Sequence, residues 1–466
     1  MGQVFISFTP GAAHRLEPLR EVVAAAGHAA WPEPDAARPG DDRVADAIEQ
    51  SFCALVLLTD DAVDDEVVRA ETAHAQEAGV PLVILRQTSE RAVTPTKSGL
   101  DAFWTEALET AQIVIVADET PPAAQASLRR ALSRAHAQPD RCPILSLVNF
   151  KGGVGKTTLT ALLARFVFQL SNANVLMVDI DPQENLSDVF LSPEDLARLG
   201  EEGRTSVGLF DHEAIIGYEA RYRSPRPQEL RLLAHTLIEN DGRRFDLIRS
   251  HQSLMNLAAA ADPSYSLAER SFEYALLTLR RYYDVIFIDA NPSATVLSRA
   301  AARAADMILA PIIPDRAATR GLDLMRSSAQ DFLHEPEFIE KLRVVINYAR
   351  LHGVADMAFI RNVVEDPGRH FDGLDFIKGK VLWPPLPRSD RLFNIGRLRR
   401  DLVSPNGGPL LKSKFPTAVA ELSAEIVRLV EEMAARATGD LGDPDPAEAL
   451  EGGPEDRNGA SGRAAE

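Results

Sequence analysis

Cysteine is almost absent: Cys53 and Cys142 are the two thiols in 466 residues. The two could pair, but two isolated cysteines in a chain of this length more often mean a reduced, cytoplasmic setting. Long apolar runs are missing too. None approaches the ~18 residues that cross a bilayer, so no transmembrane helix is expected. The opening segment MGQVFISFTPG has no basic stretch and no small-residue cleavage site, so it does not read as a secretory leader. The residues after Gly2 lack the Ser/Thr spacing of a myristoylation signal. Positive charge is scarce as well: 50 Lys and Arg against 68 Asp and Glu give a net charge of −18. That excludes a molecule coated with basic charge for nucleic acid, though not a local patch. There is no internal repeat, and the ten histidines show no metal-ligand spacing.

What is present is ordinary globular composition, 45% hydrophobic and 25% charged, and enough length for two or three domains of ~100–200 residues. Short apolar runs alternate with longer amphipathic stretches, the pattern of a parallel sheet with crossover helices. The pattern occurs twice. In the first third, VFISF (from Val4), CALVLLT (from Cys53), PLVILR (from Pro81) and IVIVAD (from Ile113) read as buried strands. In the remainder, ILSLVNF (from Ile144), VLMVDID (from Val175), DVIFIDA (from Asp284), MILAPII (from Met307) and LRVVINY (from Leu342) do the same. The fold class expected is α/β, with two doubly wound parallel-sheet domains. Their expected limits are residues 1–135 and 144–436, joined by a linker at 136–143 (HAQPDRCP). Residues 437–466 are acidic, rich in Gly, Pro and Ala, and read as a disordered tail. The polar stretch from Ser192 to about Ser250 reads as an insertion of helices and loops.

NFKGGVGKTT (from Asn149) lies between an expected strand and an expected helix, TLTALLARFVFQL. In that context a Gly-rich string ending Gly-Lys-Thr reads as a phosphate-binding loop. Lys151, Gly152, Gly153, Val154, Gly155, Lys156, Thr157 and Thr158 form the cradle. Glycines let backbone N–H groups curl around phosphate oxygens, and the helix N-terminus adds partial positive charge. Lys156 would face the β/γ-phosphates of ATP, and the Thr157 hydroxyl would reach Mg²⁺. The usual Gly six positions before the loop lysine is Phe150 here, and an additional lysine stands at Lys151.

That loop resembles the deviant Walker family that includes the ParA and MinD ATPases. The resemblance implies that Lys151 crosses a dimer interface to the partner's nucleotide. Further strings follow in family order. MVDIDPQENLS (from Met177) implies Asp181 as the residue that orients the attacking water, with Asp179 closer to the metal. YYDVIFIDANPS (from Tyr282) implies Asp289 as a carboxylate that binds Mg²⁺ through water. Where the family has paired prolines, this chain has Asn291-Pro292. Asn347, ending LRVVINY, matches the adenine-contacting position; the other reading is a plain strand-end Asn. ADMILAPIIPDRAATRGLDLM (from Ala305), LPRSDRLFNIGR (from Leu386) and KSKFPTAVAEL (from Lys412) extend the resemblance over about Ile144 to Met433. A kinase places its lysine on another strand, and no GTPase base-recognition string Asn-Lys-x-Asp is seen.

Between Arg388 and Lys414, Arg388, Arg391, Arg397, Arg399, Arg400, Lys412 and Lys414 face only Asp390 and Asp401, so 7 − 2 gives a local charge of +5. The family resemblance implies nonspecific DNA contact through such residues. The alternative is a solvated face or ion pairs within the domain.

In the first third, VFISF, GHAAW (from Gly27), RPGDDRVADAIEQS (from Arg38), CALVLLT and the Phe103-Trp104 pair resemble, in that order, a TIR domain. This implies a flavodoxin-like sheet over about Gly2 to Ala135. Some TIR domains cleave NAD⁺ with a Glu on the helix after the third strand, and Glu71 aligns with that Glu. Asp65, Val67 and Val68 stand where the Ser, Trp and Cys of that setting would be; a solvated helix Glu is the other reading.

Two functions follow from these resemblances. One is an ATP-binding, ATP-hydrolysing dimerisation switch that positions or controls a partner, either DNA or the fused TIR-like domain. The other is a TIR-type NAD⁺ glycohydrolase of a bacterial defence system, triggered by ATP-dependent assembly.

Overall fold

A computed structural model of the chain describes residues 2–32, 42–87, 101–116, 142–315, 321–388 and 416–437, together with 125, 128–129, 131–132, 399 and 402–403. Within these spans 172, 222, 241–242, 260–264, 292–294, 323, 328–334 and 372 are outside the description. So are most of the expected linker, the expected tail beyond 437, Pro292, and the basic residues Arg391, Arg397, Arg400, Lys412 and Lys414.

The first sheet contains β1 (Gln3–Ser7), β2 (Ala29–Trp31), β3 (Cys53–Leu58), β4 (Leu82–Gln87) and β5 (Gln112–Val116). All pair in parallel in the order β2-β1-β3-β4-β5. The order reverses between β1 and β3, where ligands bind in doubly wound sheets. Helices α1 (Leu16–Ala25), α2 (Asp42–Gln50), α3 (Glu66–Glu77) and α4 (Ala102–Thr110) connect the strands. Strand β3 is buried along its whole length, as a central strand covered on both faces must be. One face packs Phe5, Val56 and Ile84 with Trp104; the other packs Val4, Ile6 and Leu55 with Val23. Trp104 is fully buried and donates its indole N–H to the Val63 carbonyl at 2.8 Å. Asp65 caps α3 by accepting from the Val67 and Val68 N–H groups.

The second sheet contains β6 (Ile144–Leu147), β7 (Val175–Asp179), β8 (His235–Asn240), β9 (Arg243–Ile248), β10 (Val285–Asp289), β11 (Met307–Ile312), β12 (Leu342–Ile346) and β13 (Val381–Leu382). Their order is β13-β12-β11-β6-β10-β7-β9-β8, parallel except for the antiparallel β8–β9 hairpin. Helix α5 (Lys156–Leu170) follows β6, and the long helix Pro416–Ala437 packs on it. Trp383, beside β13, is largely exposed.

The stretch from Ser192 to Ser250 departs from expectation. It holds β8 and β9, which extend the main sheet. The strand RRFDLI is hard to see in the sequence because Asp246 interrupts its apolar run. In the fold Asp246 is fully buried and neutralised by Arg231 at 2.7 Å, and it accepts from the Tyr283 hydroxyl at 2.7 Å. Burial of a charge so paired is tolerated where an unpaired one is not.

Candidate nucleotide site

The site grows from the carboxyl ends of adjacent strands. Beyond β6, Asn149 donates from Nδ2 to the Pro311 carbonyl at 2.7 Å and accepts the Lys151 N–H on Oδ1 at 2.8 Å. This clamps the start of the loop to β11. Gly153 and Gly155 then adopt positive φ of 75° and 85°. At Gly155 a Cβ would lie 2.6 Å from Asn347 Nδ2 and 2.7 Å from Tyr348 Oη. Both the backbone angle and the space therefore require glycine. Asn347 holds the loop from the other side, donating to the Val154 carbonyl at 2.8 Å. Helix α5 begins at Lys156 with no side-chain cap on its first turn, leaving N–H groups directed at the loop's interior, a geometry that suits a phosphate.

Lys156 is buried and its ammonium donates to the Asn149 carbonyl at 3.1 Å. Burial lowers its pKa, while Asp289 and Asp181 act in the opposite sense. Lys151 lies at the rim, its ammonium 2.8 and 3.0 Å from the two Asp315 oxygens.

Asp179 and Asp289 are register partners on β7 and β10 and both are fully buried. Burial, then the nearby Asp289 carboxylate, raises the Asp179 pKa well above the usual carboxylate range. Asp179 is occupied by its own loop: Oδ1 accepts the Asp181 N–H, and Oδ2 accepts the N–H and hydroxyl of Ser187 at 2.8 and 2.7 Å. Asp289 differs. Thr157 and Thr160 hydroxyls approach its carboxylate, yet Oδ2 is buried with no hydrogen-bond partner among the described residues. Burial pushes its pKa up to about 7. A buried oxygen left open beside a threonine hydroxyl suits a hydrated cation. Asp181 is buried at the next turn and accepts the Gln183 N–H on Oδ1 at 3.0 Å. Among the described residues no group of three or more His, Cys, Asp or Glu is placed to hold a metal alone. A Mg²⁺ here would depend on phosphate oxygens, as Mg²⁺ commonly does.

The fold thus brings together Lys156, Thr157, Asp181, Asp289 and Asn347, with Lys151 at the edge. Asn149, Ser187, Asp315 and Tyr348, which lie within the same strings without a role assigned from the sequence, also shape the site. Tyr348 sits at φ 54° and hydrogen-bonds Thr158.

Glu71 lies in the other unit. Its Oε2 accepts the Ser7 hydroxyl at 2.5 Å, at the carboxyl end of β1. Burial, opposed by that hydrogen bond, raises its pKa to about 7. The Thr9 and Thr59 hydroxyls beyond β1 and β3 are buried without a partner among the described residues.

The family model described as "AAA domain" matches residues 142–337. The chain is 30% identical over 184 residues to the virulence plasmid ParA family protein pGP5-D of Chlamydia psittaci, a match covering 39% of this chain and 61% of that protein. It is 26% identical over 253 residues to the sporulation initiation inhibitor protein Soj of Bacillus subtilis, covering 53% of this chain and 85% of Soj. A solved complex of Cyanothece McdA with ATP aligns at 18% identity and a TM-score of 0.44, covering 66% of this chain and all of that one (100%). The second sheet and its glycine loop define a parallel-sheet P-loop NTPase. Within that class, residues 142–337 are similar to the P-loop ATPase domains of the ParA/MinD type.

Proposed function

We propose that the second unit, residues 144–436, binds ATP with Mg²⁺ and acts as an ATP-hydrolysing dimerisation switch of the ParA kind in the cytoplasm. The observation that carries this is the buried Lys156 at the mouth of a glycine loop, facing the open Asp289 oxygen. Lys156 neutralises the β/γ-phosphates, Thr157 and Asp289 hold the hydrated Mg²⁺, and Asp181 orients the attacking water. Bound Mg²⁺ would offset charge on the transferring phosphoryl group. Asp179, its oxygens taken by Asp181 and Ser187, keeps the Asp181 turn in place. Lys151 leaves Asp315 to reach a partner's nucleotide. Asn347 positions the loop beside the adenine. The switch positions or controls a partner, which is DNA reached through Arg388–Lys414 or the fused first unit. The test is ATP titration with sizing of the complex. Lys156→Ala should lose ATP binding, and Lys151→Ala should bind ATP but not pair. A Lys156→Ala protein that keeps the parent's affinity would overturn the assignment.

A second reading rests on the Ser7–Glu71 contact. Residues 1–135 would be a TIR-like, flavodoxin-like domain in which Glu71 holds the NAD⁺ ribose and stabilises the charge that develops as nicotinamide leaves. Nicotinamide release from parent with NAD⁺, ATP and Mg²⁺, lost in Glu71→Gln, is the expected result. Equal release from the two proteins would remove this reading.

A further inference from the structure

Three donors of the second unit meet backbone carbonyls of the first. Arg244, at the start of β9, donates from Nη2 to the Leu108 carbonyl at 2.7 Å. Gln228, on the short helix Pro227–Arg231, donates to the Gln76 carbonyl at 2.8 Å. Arg281, just ahead of β10, reaches the Gly79 carbonyl at 3.5 Å, the long limit of a hydrogen bond. The acceptors share one property. Leu108 lies in the last turn of α4, and Gln76 and Gly79 lie at the end of α3. Helix ends carry carbonyls with no partner inside the helix and the negative end of the helix dipole. Cations and amide donors are what such ends take. Arg244 is buried, and its backbone N–H is held by Asn174 Oδ1 at 2.9 Å. A buried guanidinium is costly unless its donors are used, and a helix end supplies acceptors without a second full charge.

We infer that the segment from Pro227 to Ile248, with Arg281, is a joint that grips the first unit by the carboxyl ends of α3 and α4. This assigns a role to the stretch that distinguishes the second unit from its expected pattern. The joint also fixes direction. The ends of α3 and α4 precede β4 and β5, and Arg244 and Arg281 stand at or before the beginnings of β9 and β10. The two sheets therefore meet by the edges where their strands begin. The edges where strands end, with the glycine loop on one unit and Ser7 and Glu71 on the other, are left facing away from the joint. Resting on the reading above, a pair formed across the glycine-loop edge carries its two first units at its outer ends. Contact between first units then occurs between pairs and not within one.

The experiment is hydrogen exchange on the full chain without nucleotide, so its outcome is independent of whether ATP binds. Arg244→Met should speed exchange in the last turn of α4 by about tenfold or more, as expected for the one charge-assisted hydrogen bond lost at Leu108. Exchange in α1, which makes none of these contacts, should stay at the parent's rate. Gln228→Ala with Arg281→Ala is the companion, and serves alone should Arg244→Met fail to fold; it should speed exchange in the last turn of α3, more weakly. Parent-like exchange at both helix ends in the folded variants, or acceleration spread equally over α1, would overturn the joint.

Discussion

At the scale of residues, neighbouring carboxylates are made unequal by their surroundings. Asp181 and Asp179 are two positions apart, yet Asp179 is spent on its own turn, while the Asp181 side chain accepts only the Gln183 N–H among the hydrogen bonds described. Asp181→Ala should therefore leave ATP affinity within a few-fold of the parent and lower kcat at least tenfold, trapping the ATP-bound pair; steady-state phosphate release with parallel sizing checks this. Glu71 offers a prediction in pH. Its folded pKa, about 7, lies above the ordinary value of 4.5. Between those values the folded chain holds a proton that the unfolded chain has lost, so stability falls as pH rises through that window. Glu71→Gln should flatten the fall by on the order of 1 kcal/mol, discounted for partial exposure. Melting curves at pH 5 and pH 8 would show it, and equal slopes in the two proteins would contradict it. Lys156, Thr157 and Asp289 were legible in the sequence because each belongs to a contiguous string. The contacts of Asn149, Asp315 and Tyr348 were not, although each lies in a recognisable string, because they join segments far apart in the chain: Asn149 to Pro311 of β11, Asp315 to Lys151 of the glycine loop, and Tyr348 to Thr158 of α5.

At the scale of elements, the parallel strands were readable where both faces are covered and the apolar run is unbroken. Strands β3, β7 and β10 are of this kind, with every position buried. The hairpin β8–β9 was not readable. Its hydrophobicity is broken by Arg243, Arg244 and Asp246, whose compensation comes from other elements, and β13 is two residues long and has no periodicity. The glycine loop shows the same dependence of one element on another. Gly155→Ala would place a methyl group against Asn347 and Tyr348 at a φ that disfavours side chains. We expect a loss of about 1–3 kcal/mol in stability and a large loss of ATP affinity, measured by denaturant melts and nucleotide titration. Parent-like values in both would mean that the turns carrying Asn347 and Tyr348 yield easily.

At the scale of the whole molecule, a net charge of −18 surrounds a stretch of +5. If that stretch meets DNA, binding should be weak at high salt and should lose slope when Arg397, Arg399 and Arg400 are replaced by Glu, since each phosphate contact contributes about 0.9 to the slope of log affinity against log salt on duplex DNA. Retention on DNA at a series of salt concentrations, with ATP present, measures it. An unchanged slope would assign the stretch to the domain's own surface.

The three tryptophans divide along the same line as the two sheets. Trp31 and Trp104 belong to the first, and Trp104 is sealed in its core, whereas Trp383 stands largely in solvent beside the last strand of the second. Intrinsic fluorescence is thereby sorted by location. An aqueous quencher such as iodide should silence Trp383 first and leave the bluer Trp104 emission behind. That residual emission reports on the first unit alone, with no dye attached.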